Sequence, residues 1–96
     1  MVQLFGNSIV QIKNSTFFNN TNKLSPSIQA SNYLEFEVID SLFKDNEGFP
    51  VADILIQFSN NLARIVNSKF TNFIKGDAIH SEQAPLSLEG IIVSER

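Results

Sequence analysis

Acidic side chains are the first residues in this sequence whose types and spacing could do chemistry. In the stretch YLEFEVID, residues 33–40, Glu35 and Glu37 stand two positions apart, with Asp40 close by. On an extended strand, such alternate side chains share one face at about 7 Å. That spacing suits a calcium site or a carboxylate pair for acid–base work on a glycosidic bond. Against this, Glu37 aligns with Gln11 and Arg64 in the repeat described below, not with further acids. The stronger reading is a solvated strand face on which Glu37 and Arg64 are cross-strand neighbours, a surface pair contributing less than about 1 kcal/mol.

The other reactive residue types are isolated. His80 is the single histidine and follows Ile79, an inward residue that turns His80 outward; no D-x-D-x-D-G loop or H-E-x-x-H motif accompanies it. Ser15, Ser41, Ser68 and Ser94 recur at regular intervals but lack a G-x-S-x-G elbow, so they read as small corner residues rather than nucleophiles. Gly48 and Gly76 stand alone and form no phosphate loop. The sequence therefore points to no catalytic, cofactor or metal site. Two sequons remain, Asn-Ser-Thr at Asn14 and Asn-Asn-Thr at Asn19, which accept N-linked glycans if the chain is secreted. Asn19 is the better acceptor of the two, because its neighbour Asn20 takes an internal position and turns Asn19 out.

The elements that carry these residues are set by a repeat. IKNSTFFNN (12–20), VIDSLFKDN (38–46) and IVNSKFTNF (65–73) share the pattern aliphatic, x, Asn or Asp, Ser, x, Phe, x, Asn or Asp. Their first aliphatics, Ile12, Val38 and Ile65, are 26 and 27 residues apart, and another 26 reaches Ile91 in IIVSER. Phe17, Phe43 and Phe70 form a second column, and Ile28, Ile54 and Ile79 a third. FGNSIVQI (5–12) also matches FSNNLARI (58–65), pairing Phe5 with Phe58 and Ile9 with Leu62. The chain holds about 3.7 copies of one unit, with coils at 12–37, 38–64 and 65–90 and partial coils at 1–11 and 91–96.

Fixed periods of this size belong to stacked architectures in which no repeat buries its apolar face alone. The period within each repeat is two. DILIQF (53–58) sets Ile54, Ile56 and Phe58 on one side, and YLEFEVID sets Leu34, Phe36 and Val38 inward with the two glutamates outward. Stretches rich in Asn, Ser, Gly and Pro separate these strands. The predicted fold is all-β, a single-stranded parallel β-helix solenoid spanning residues 1–96. In such a coil each phenylalanine stacks on its equivalents roughly 4.8 Å above and below, and corner asparagine amides bond to one another between coils.

The column after the first aliphatic, Lys13, Ile39, Val66 and Ile92, then points outward. Ile39, Val66 and Ile92 form a candidate lateral interface, unless the strand bends and buries both columns. Three-residue steps from Leu62 to Ile65 and from Leu88 to Ile91 suggest such a bulge.

FFNN (17–20) and FKDN (43–46) resemble the F-x-x-N signature, and GDAI (76–79) the G-G-A-[ILV] signature, of polymorphic outer-membrane protein type repeats. Phe73 departs from the pattern where Asn is expected, as do SPSI and VADI where the Gly-rich form is expected. The resemblance implies a right-handed β-helix and an extracellular or cell-surface adhesin segment.

Composition is compatible with that. A net charge of −3 with scattered basic residues gives no nucleic-acid surface, and no run approaches the roughly 18 apolar residues of a membrane helix. Cysteine is absent, which removes disulfides and Cys-based zinc sites. The leading reading is a structural or adhesive module that self-associates or continues into further coils, with glycans as possible attachments. A carbohydrate-binding or carbohydrate-active β-helix fragment is the alternative, and an intracellular scaffold a third.

Overall fold

A computed structural model describes residues 2–21, 26–71, 73 and 76–94. Each passage round the solenoid lays down three short strands. The first rung is β1 (Val2–Phe5), β2 (Ile9–Lys13) and β3 (Thr16–Phe18); the second is β4 (Ile28–Ser31), β5 (Glu35–Ile39) and β6 (Leu42–Lys44). The third is β7 (Val51–Gln57), β8 (Ala63–Val66) and β9 (Lys69–Thr71), and the fourth β10 (Asp77–Glu82), β11 (Leu86–Glu89) and β12 (Ile92–Ser94). Equivalent strands pair in parallel to make three sheets, in the orders β1-β4-β7-β10, β2-β5-β8-β11 and β3-β6-β9-β12. The described residues form an all-β parallel solenoid without a helix.

Parallel pairing stacks like on like. Ile12, Val38 and Ile65 are in register, as are Ile28, Ile54 and Ile79, and as are Phe17, Phe43 and Phe70. The three phenylalanine rings lie face to face at 4.7 Å, within the normal spacing between hydrogen-bonded strands. Phe36, Val38, Phe43, Ile54, Ile65 and Phe70 are fully enclosed. Burial of this order, about 1.5–3 kcal/mol for each large side chain, is what holds the coils together.

Four expectations from the sequence are corrected by the register. First, the last coil is short. Leu88, not Ile91, lies beside Ile65, a return after 23 residues rather than 26 or 27. The deficit arises in two places: Ile79 follows Phe70 by nine residues where Ile54 follows Phe43 by eleven, and in the next turn Gln83, Ala84 and Pro85 replace the five residues Phe58 to Leu62 of the coil before. Ile91 therefore takes the place expected for a serine, and Ser94 pairs with Thr71. Second, Ile92 does not continue the column of Lys13, Ile39 and Val66; Glu89 does. Ile92 pairs with Lys69 and is 58% exposed, whereas Ile39 and Val66 are half-buried.

Third, strand periodicity stops at the corners. Leu34 and Phe58 are 52% and 49% exposed, because Leu34 precedes β5 and Phe58 turns the chain in a left-handed conformation with φ 52°. Tyr33 is buried in place of Leu34. Fourth, Phe5 pairs with Ser31, which pairs with Gln57, so Phe5 and Phe58 do not share a column.

The strand β7 also carries a bulge against β10. Val51 pairs with Asp77 and Ile54 with Ile79, a register shift that inserts one residue on the β7 side. The bulge turns Asp53 inward, where it is buried. Its Oδ1 accepts a hydrogen bond from Asn46 Nδ2 at 2.8 Å, and its Oδ2 has no hydrogen-bond partner among the described residues. Burial pushes this carboxyl up to about 6, against 3.8 unperturbed, with the Asn46 bond opposing the shift.

A folded-state value above the unfolded one means that the proton stabilises the fold. That stability is fully present below about pH 4 and is lost as pH rises through 6. Replacing Asp53 with Asn is expected to flatten this dependence. In urea titrations above pH 7 the variant should exceed the parent by on the order of 2 to 3 kcal/mol and match it at pH 4; equal stabilities at both values would refute the assignment. At Gly76, φ is +75° and an added Cβ would stand 2.7 Å from the Gly48 carbonyl oxygen and closer still to that of Pro50. Gly76→Ala should therefore lower stability by about 2 kcal/mol or more, read as a shifted denaturation midpoint.

Candidate functional site

Chemistry-bearing residues lie on the outer face of the second sheet. Glu37 is in register with Gln11 on one side and Arg64 on the other. Arg64 donates to Glu37 at 2.7 Å, and the more weakly held Gln11 amide donates to Glu35 at 3.3 Å. Glu37 thus points to a cation on the neighbouring coil rather than converging with Glu35 and Asp40 on a shared ligand. Asp40 sits at the corner after β5 with φ 51°. His80 is exposed on β10, in register with Leu55. Among the described residues, no group of three His, Cys, Asp or Glu side chains is placed to hold a metal ion.

The corner between the second and third sheets is the most regular feature of the molecule. Two residues span it in every rung, namely Asn14-Ser15, Asp40-Ser41, Asn67-Ser68 and Gly90-Ile91. The first of each pair has a left-handed backbone, with φ of 50°, 51°, 49° and 61°. Asn, Asp and Gly are the residues that adopt this conformation at least cost. Each serine hydroxyl donates to the carbonyl two residues before it, at 3.0 Å in all three cases. The Ser41 and Ser68 oxygens also accept the N–H of the serine one coil earlier, at 3.3 and 3.2 Å.

Both sequon asparagines stand at corners. Asn14 and Asn19 are exposed, with φ of 50° and 55°, and their backbone N–H groups bond to Ile39 and Lys44 on the next coil. Asn20 turns inward and donates through both its backbone N–H and its side-chain amide to Asn46 Oδ1, each at 3.0 Å. Asn46 in turn donates to Phe17 O and to Asp53. The expected asparagine ladder thus spans two coils and stops at buried Phe73. Nothing in the two-residue alternation signals Asp53, because strict alternation would set it outside. A glutamine ladder, Gln3 to Gln29 to Gln57 at 3.3 Å each, runs over the first sheet.

The ends of the stack are where apolar surface and unpaired strand edges coincide. At one end Val2, Leu4, Val10, Ile12 and Phe17 line an open depression. At the other, Phe73, Ala78, Ile79, Leu88 and Val93 line a second. Val93 continues the phenylalanine column beyond Phe70 and is 52% exposed. These ends offer two things at once, a core cross-section and free backbone hydrogen-bonding groups.

Compared with known proteins, the chain matches no family model, no curated protein and no solved structure.

The Glu37 and Arg64 contact is solvated, and a double-mutant cycle with Glu37→Ala and Arg64→Ala should return a coupling below about 1 kcal/mol that shrinks further in 1 M salt. A coupling of several kcal/mol would instead mark the pair as part of a structured site.

Proposed function

We propose that this protein is a structural β-solenoid module that self-associates end to end, at a cell surface or in an extracellular fibre, and performs no catalysis. One observation carries the reading: both ends of the described stack present core side chains and the edges of all three sheets to solvent. An apolar cross-section beside unpaired parallel strands is suited to accept another coil. The outer face, by contrast, is largely self-satisfied, with Arg64 on Glu37 and the glutamines bonded to one another.

The extracellular placement draws on the F-x-x-N and G-D-A-I resemblance and on the exposure of both sequon asparagines, Asn14 and Asn19. Glycans there would project from corners and leave the sheet edges clear.

Two measurements test the reading. Sedimentation velocity over a hundredfold concentration range should show mass rising well above the 10.7 kDa of one chain, and a folded protein that stays strictly monomeric at millimolar concentration overturns it. Site mapping of protein from its native source should find hexose at Asn19 or Asn14; unmodified asparagines would remove the support for the secretory route while leaving the assembly to be judged by sedimentation.

A further inference from the structure

We propose that the partner at these ends is a second copy of this chain, seated head to tail and in register, so that β10, β11 and β12 of one copy pair with β1, β2 and β3 of the next. The inference rests on the self-association reading above and names its geometry. Three independent features of the columns converge on it.

The first is the direction of the corner hydrogen bonds. The N–H groups of Asn14, Asp40 and Asn67 donate to the carbonyls of Ile39, Val66 and Glu89, always from one coil to the next, at 3.0, 3.0 and 2.8 Å. The N–H groups of Ser15 and Ser41 donate in the same direction to Ser41 and Ser68 Oγ. In the last coil Gly90 and Ile91 hold these donor positions. The matching acceptors are the Lys13 carbonyl and Ser15 Oγ, which stand in the first coil and accept no such N–H among the described residues. A copy placed in register supplies them. In the opposite sense, Leu42, Lys69 and Ile92 N–H donate back to Ser15, Ser41 and Ser68 carbonyls, and Thr16 N–H of the second copy would meet the Ile91 carbonyl in the same way.

Charge is the second feature. The column Lys13, Ile39, Val66, Glu89 begins with a cation and ends with an anion, both exposed. Continuing it into a second copy sets Lys13 directly beyond Glu89, where opposite charges on adjacent parallel strands attract. Like ends brought together would set Glu89 near Glu89, with the Gly90 and Ile91 donors facing no Lys13 or Ser15 acceptor.

The third feature is the core. The column Phe17, Phe43, Phe70, Val93 would carry on to Phe17 of the next copy, and Ile28, Ile54, Ile79 to its Val2. Aliphatic and aromatic groups that line the two open depressions then enclose one another. The corner between the second and third sheets spans two residues at both ends, so two sheets meet at the joint without a change of register. Because the contact joins different surfaces and does not close, its product is a linear filament.

The test uses the intact chain, with sedimentation velocity and negative-stain imaging in low and high salt. Lys13→Glu and Glu89→Lys should each weaken association by about fivefold at low salt, and the two together should restore it. Val93→Asp, at an exposed position whose fold is checked by circular dichroism, should abolish growth yet shorten wild-type filaments when mixed with them, since its opposite end remains competent. A wild-type protein that stays monomeric overturns both this proposal and the self-association reading, leaving further turns of a longer chain as the occupant of the ends. Assembly that ignores both single charge reversals, or that the double reversal fails to rescue, overturns the head-to-tail register alone.

Discussion

Parallel hydrogen bonding between coils sets each rung about 4.8 Å from the last, so every side chain meets its counterpart at close to van der Waals distance. Residues in a column must therefore be compatible with themselves. Phenylalanine satisfies this by stacking at 4.7 Å, isoleucine and valine by interlocking, and corner serines by passing hydrogen bonds along the stack. A charge stacked on its like would be repelled, and the outer face shows Gln11, Glu37 and Arg64 in succession instead.

Different parts of the coil tolerate change to different degrees. The corner from the second to the third sheet keeps two residues in every rung, because a left-handed residue makes the sharp bend, and in three of the four rungs the small serine that follows it bonds to a neighbouring coil. The turn from the first to the second sheet varies from three to five residues, and it lies on the surface where added length is accommodated. Exposed Leu34 and Phe58 are consequences of that freedom: once the chain leaves the strand, the two-residue alternation no longer decides which side faces the core.

One network of polar side chains enters the interior near a corner. Asn20, Asn46 and Asp53 form a chain of amide and carboxyl contacts made possible by the β7 bulge. It ends in an oxygen that has no partner among the described residues, and the next coil replaces the asparagine with Phe73. The ladder is therefore a local solution rather than a property of the fold, and it ties the stability of the solenoid to the protonation of one buried carboxyl.

The sequence by itself determined the class of fold, the period and most of the core. Self-stacking prints an interval near 26 residues on Ile12, Val38 and Ile65 and on the three phenylalanines, and a two-residue alternation on the strands between. Only the tertiary structure decided the register of the last coil, where shortening both before β10 and in the turn after it moves Leu88 under Ile65 and brings Glu89 into line with Lys13. An alignment that holds the period constant sees Ile91 and Ile92 in those places, since aliphatic residues lie at both offsets of the core column. The same holds for Asp53, Leu34 and Phe58: a bulge and two corners reorient them, and such reversals of direction are fixed by the pairing of neighbouring coils rather than by the residue types along the chain.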